Sequence, residues 1–123
     1  MNPQHILIVD DEASIRELLQ AYFQRQGYRV SAASTATEAH EHAAKESFSL
    51  VILDVVLGDA DGMDVLEDLK HLRPDCPVLI MTGSGVDESL LREAKLKGAS
   101  GYISKTLPLD QLLHEVKNIL ALQ

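Results

Sequence analysis

Five polar residues of this 123-residue sequence have types and placements that could do chemistry: Asp10, Asp11, Asp54, Thr82 and Lys105. Asp10 and Asp11 end the apolar run Ile6-Leu7-Ile8-Val9, and Asp54 ends Leu50-Val51-Ile52-Leu53. Thr82 ends Val78-Leu79-Ile80-Met81, and Lys105 follows Gly101-Tyr102-Ile103-Ser104. Three carboxylates brought close repel one another, so they share protons or need a cation. Oxygen ligands in a half-open site suit Mg²⁺, which keeps waters and takes one or two carboxylates plus phosphate oxygens. Each residue alone has a plainer reading: Asp11 as a helix N-cap, Asp54 as a loop start, Thr82 as a strand end, Lys105 as a solvated lysine. Jointly those readings need four loops to place polar residues on one rim by accident. The set therefore reads as functional.

The elements that would position these residues alternate. Ile6–Val9, Leu50–Leu53 and Val78–Met81 are continuous apolar runs of the kind shown by strands buried on both faces. Tyr28–Ala33 and Gly101–Ser104 read as two further short strands. Between them, Ile15, Leu18, Leu19, Tyr22 and Phe23 form one helical stripe, with Ser14 and Glu17 as a capping-box pair and Gly27 as a stop. Thr35-Ala36-Thr37-Glu38 opens a second helix running to about Glu46. Val65, Leu66, Leu69 and Leu72 mark a third helix, and a fourth runs from about Val86 to Lys97, ended by Gly98. A fifth carries Leu109, Leu112, Leu113, Val116, Ile119 and Leu120, with Pro108 near its first turn. Five strand–helix units on this rhythm imply an α/β, doubly wound, five-stranded parallel sheet with helices on both faces. Right-handed crossovers favour the flavodoxin-like order 2-1-3-4-5, whose crevice lies at the carboxyl ends of strands 1 and 3.

Asp10-Asp11, Asp54, Thr82 and Lys105, in this order and after these strands, resemble the receiver (CheY-like) domain of two-component response regulators. The similarity covers the chain as one domain, residues 1–123. Leu57 and Asp61-Gly62 fall where the family's loop after its phosphorylated aspartate has comparable residues, and Tyr102 matches its switch aromatic. The resemblance implies a switch in bacterial phosphorelay signalling. Asp54 would accept a phosphoryl group from a histidine kinase or phosphotransfer protein, as a carboxylate nucleophile. Asp10, Asp11, Asp54 and the backbone carbonyl of Val56 would hold Mg²⁺. Lys105 and Thr82 would stabilise the phosphoryl group, and Tyr102 would move inward, changing the surface of the fourth helix, fifth strand and fifth helix for an output domain or target protein. Such a domain catalyses only its own phosphorylation and dephosphorylation.

The sequence departs from the family's pattern in places. Thr106 stands where a proline usually follows the lysine, which leaves the conformation of the Lys105-Thr106 peptide open. This is similar to receivers joined to DNA-binding domains, so a receiver part of a longer transcription regulator is one alternative. Gly58 replaces a common proline and Gly83 a common alanine or serine. Val56 and Ser84 occupy the positions where the family tunes water access; apolar Val56 offers an attacking water no hydrogen bond, so slow hydrolysis is expected.

Nineteen acids against eleven bases give a net charge of −8, which repels nucleic acid and anionic membrane in general. There is no basic leader and no apolar stretch long enough for a membrane span, so a cytoplasmic single domain is expected. The lone Cys76 reads as structural, and His40 and His42 cannot share one side of a helix to bind metal. Asp59, Asp61 and Asp64 read as caps or solvated groups at a helix start. Gly83-Ser84-Gly85 lacks the Lys-Ser/Thr of a phosphate loop. A flavodoxin-like cofactor binder would need a hydroxyl- and glycine-rich loop where Asp10-Asp11-Glu12-Ala13-Ser14 stands. A haloacid-dehalogenase-type phosphatase would need an aspartate where Val56 stands. An interaction module independent of phosphorylation would not require the complete acidic set.

Overall fold

The computed structural model describes residues 3–58, 60–83 and 87–122. Strands and helices alternate throughout: β1 (His5–Val9), α1 (Ala13–Arg25), β2 (Arg29–Ala33), α2 (Ala36–Lys45), β3 (Leu50–Asp54), α3 (Gly62–Leu72), β4 (Val78–Thr82), α4 (Glu88–Leu96), β5 (Gly101–Ser104) and α5 (Leu109–Ala121). All strand pairs are parallel, in the order β2-β1-β3-β4-β5. The expected doubly wound sheet is present, and no described helix is long and apolar enough to cross a membrane.

The apolar runs become strands because both of their faces are covered. Leu7, Val9, Val51, Leu53 and Ile80 point to the side packed by α2, α3 and α4. Their neighbours Ile6, Ile8, Leu50, Ile52, Leu79 and Met81 point to the side packed by α1 and α5. The alternation follows from the two-residue period of a strand. Burying one such side chain is worth about 1.5–3 kcal/mol, so a one-residue slip of a central strand would be severely penalised.

That register also aligns the strand ends. Val9 pairs with Leu53, Asp54 with Met81, and Thr82 with Ser104. The residues that follow these pairs therefore leave the sheet at one rim.

Two local expectations change. The Ser14–Glu17 box does not form, because α1 starts at Ala13 with Glu12 at the N-cap and no side-chain cap. The start of α4 is set by Asp87, whose Oδ1 accepts from the amides of Ser89 and Leu90. The Lys105-Thr106 peptide is trans, as are the other described peptide bonds.

Candidate functional site

Asp10 is the first residue beyond β1. Its amide still extends the ladder, donating to the Ala33 carbonyl at 3.1 Å, and its own carbonyl accepts from Arg16 Nη1 at 2.8 Å. With the main chain held from both sides, the fully buried side chain points along the rim. Its Oδ1 accepts from the Glu12 amide at 2.9 Å. Asp54, last in β3 and also buried, accepts at Oδ1 from the Val56 amide at 3.2 Å. Lys105 arrives from the far side of the sheet, its amide bonded to the Thr82 carbonyl at 2.8 Å.

The Lys105 ammonium lies 2.7 Å from Glu12 Oε1, 2.8 Å from Asp54 Oδ2 and 2.9 Å from Asp10 Oδ2. The first two are hydrogen bonds. The Asp10 contact is an ion pair whose geometry is not that of a hydrogen bond, so the buried Oδ2 is met by charge but makes no hydrogen bond. Burial pushes the Asp10 carboxyl upward and Asp54 adds to this, against the Glu12 amide and Lys105. Burial opposes the charge of Lys105, yet its contacts with the Asp54, Glu12 and Asp10 carboxylates outweigh that and hold its proton more tightly than usual.

Carboxylate oxygens of Asp10, Glu12 and Asp54 lie within 4.8 Å of one another. Three carboxylates against one ammonium leave this spot at a charge of −2 when all are ionised. Hard oxygen donors, an excess negative charge and an unsatisfied oxygen on Asp10 fit a divalent cation. The cluster is a candidate divalent-metal site.

Of the residues singled out from sequence, Asp10, Asp54 and Lys105 are brought into contact. Thr82 is buried beside them at the end of β4. Asp11 is exposed and outside the cluster; its Oδ2 would lie 3.3 Å from a β-carbon on Gly58. Val56 exposes its side chain at the rim and forms an isolated bridge with Asp61. Tyr102 in β5 packs on the core, and its buried hydroxyl has no hydrogen-bond partner among the described residues. Asp59, Ser84, Gly85, Val86 and Gln123 lie outside the described residues. Glu12 is the residue that sequence reasoning missed. It was visible only as the third acid of Asp10-Asp11-Glu12, and nothing in that run says which acid turns inward.

Away from the rim, Cys76 is half-buried, with its thiol pushed up by burial. His40 and His42 face different partners, Asp68 at 2.7 Å and Glu46 at 4.0 Å.

Comparison with known proteins finds the response regulator receiver domain family matching residues 6–117. The transcriptional regulatory protein ZraR of Klebsiella oxytoca is 38% identical over 117 residues, which are 94% of this chain and 26% of that protein. The chain thus spans about a quarter of the length of ZraR. Sporulation initiation phosphotransferase F of Bacillus subtilis is 33% identical over 123 residues, covering 100% of this chain and 98% of that protein. The crystal structure of the Thermotoga maritima response regulator protein TrrA in complex with Mg(2+)-BeF has a TM-score of 0.85 at 30% identity, over 94% of this chain and 98% of that one.

Proposed function

This chain belongs to the receiver domains of two-component response regulators, and from that premise we propose that Asp54 is its phosphoryl acceptor, residues 1–123 forming one such domain. The observation that carries the reading is the buried Asp54 carboxylate held 2.8 Å from Lys105, beside a buried Asp10 whose Oδ2 lies 2.9 Å from the same ammonium without a hydrogen bond. Charge of both signs is thereby concentrated where an anionic group would arrive.

Receiver domains take phosphoryl groups from histidine kinases or phosphotransfer proteins. An Asp54 oxygen forms the new O–P bond as the P–N bond of the donor's phosphohistidine breaks, its electron pair leaving with the imidazole. Asp10, Asp54 and the backbone carbonyl of Val56, with Asp11 turned in from its exposed position outside the cluster, would hold Mg²⁺, which supplies neutralisation of charge on phosphoryl oxygens. The Mg(2+)-BeF complex of TrrA supports that choice of metal. Lys105 neutralises a further phosphoryl oxygen, the other large electrostatic contribution to such transfers. Thr82 donates its hydroxyl to the phosphoryl group, and Tyr102 is the switch aromatic; its ring already packs on the core with the hydroxyl buried, so phosphorylation fixes it in that inward position instead of bringing it there. The consequence is a shifted two-state equilibrium read at the α4–β5–α5 surface by an output domain or target protein. The domain catalyses only its own phosphorylation and dephosphorylation, in the cytoplasm, and does not itself bind nucleic acid.

Incubation with acetyl phosphate and Mg²⁺, followed by intact mass measurement, tests the assignment. The expected result is one phosphoryl group on the wild type and none on Asp54→Asn. An equal adduct on the variant, or none on the wild type, would overturn it.

A further inference from the structure

Glu12 sits at the N-cap of α1 in an extended conformation, yet its side chain caps nothing. Its amide is fixed by Asp10 Oδ1, and its carboxylate crosses to the β5–α5 loop to make the shortest of the three contacts to Lys105. An ammonium has three N–H bonds, and in this arrangement three carboxylates surround it. Two of them, Glu12 and Asp54, are hydrogen-bonded to it and Asp10 is held by charge, so a phosphoryl oxygen that engages Lys105 competes with these carboxylates for the ammonium. Asp10 and Asp54 side chains are 0% and 4% exposed, so withdrawing Lys105 from either leaves a buried carboxylate without its counter-charge. The Glu12 side chain is 56% exposed and rehydrates on release. Exposed ion pairs are weak, which suits a contact that has to break.

Resting on the reading of Asp54 as acceptor and Lys105 as its counter-charge, we propose that Glu12 is a positioning residue that holds the Lys105 ammonium over the acid cluster before phosphoryl transfer and yields it to the incoming phosphoryl group. Glu12 and Asp11 thereby divide the acidic run: Asp11 turns outward beside Gly58, and Glu12 turns to the lysine. The latch keeps Lys105 in place between transfers, at the cost of competing with the phosphoryl oxygens during one.

Two measurements test this. In metal-free protein, hydrogen exchange at Lys105 Nζ, followed by ¹⁵N-edited NMR, is slow in the wild type and accelerates in Glu12→Gln. At saturating Mg²⁺ and acetyl phosphate, Glu12→Gln accepts the phosphoryl group about two- to fivefold faster, the factor an exposed ion pair corresponds to. In a Lys105→Met background the same substitution changes the rate no further, because there is no ammonium to release. Unchanged exchange, an unchanged rate in the wild-type background, or an equal gain in the Lys105→Met background would each overturn the latch. An absent adduct on the wild type would instead overturn the Asp54 reading beneath it.

Discussion

A β-carbon on residue 62 would lie 2.5 Å from the Val55 carbonyl oxygen and 2.6 Å from that of Asp54. Both are main-chain atoms that no rotamer change can move away, and the Gly62 amide already donates to the Val55 carbonyl at 2.9 Å. The glycine thus sets how closely α3 approaches the peptide that carries the acceptor. Gly62→Ala is expected to cost about 1–3 kcal/mol, as overpacking does, and to slow phosphoryl acceptance by shifting Asp54. Urea unfolding and the mass-based rate check this together; a stability within about 0.5 kcal/mol of the wild type, the range of an ordinary surface substitution, would refute the steric argument. Asp61-Gly62 is visible in the sequence as a pair, but its reason is visible only once α3 is docked on β3. The same holds for Glu12 and Asp11. Residue type marks both as acids, and the path of the chain after Asp10, pinned by Arg16 and the Ala33 carbonyl, decides which one meets Lys105.

Elements were legible where one force sets them. The buried runs of β1, β3 and β4 read directly as strands because all of their residues are covered. The edges β2 and β5 are mostly half-buried and read less sharply. Helix starts show where a local pattern is overridden. At α2, Thr35 Oγ1 accepts from the Glu38 amide at 3.1 Å, as the box predicts, while the Glu38 carboxylate reaches back one residue further, to the Ser34 amide and hydroxyl. At α1, the similar Ser14–Glu17 spacing is idle. The Glu12 amide is bonded to Asp10 and its carbonyl accepts from the Arg16 amide, so the helix has begun before Ser14. Thr35→Ala should therefore destabilise the protein by about 1 kcal/mol, and Ser14→Ala by no more than a few tenths. Denaturant midpoints decide it, and a loss at Ser14 equal to that at Thr35 would contradict the assigned helix start.

At the scale of the whole molecule, strand order follows from chain rhythm and handedness, which is why the topology could be derived before any contact was known. What the composition could not say is where the −8 resides. Part of it is concentrated: the sheet register holds Asp10 and Asp54 at one rim, where with Glu12 they outnumber Lys105 by two charges when ionised. Folding brings Asp54 up to Asp10 and Glu12 and takes the carboxylates out of water, whereas in the unfolded chain Asp54 is distant and all three are solvated, so most of the repulsion is borne by the native state. A divalent cation bound there stabilises the native state selectively, by about 2.7 kcal/mol at a hundredfold excess over its Kd. For a domain of this length that is a rise in Tm on the order of 10 °C. Removal of Mg²⁺ with a chelator should reverse the rise, and NaCl at matched ionic strength should reproduce only the small part due to screening. The rise should vanish in an Asp10→Asn, Asp54→Asn double variant, which keeps Glu12 and Lys105 but loses the buried carboxylates. An equal rise in that variant would place the cation elsewhere on the acidic surface, and no rise in the wild type would mean that the rim takes no divalent cation.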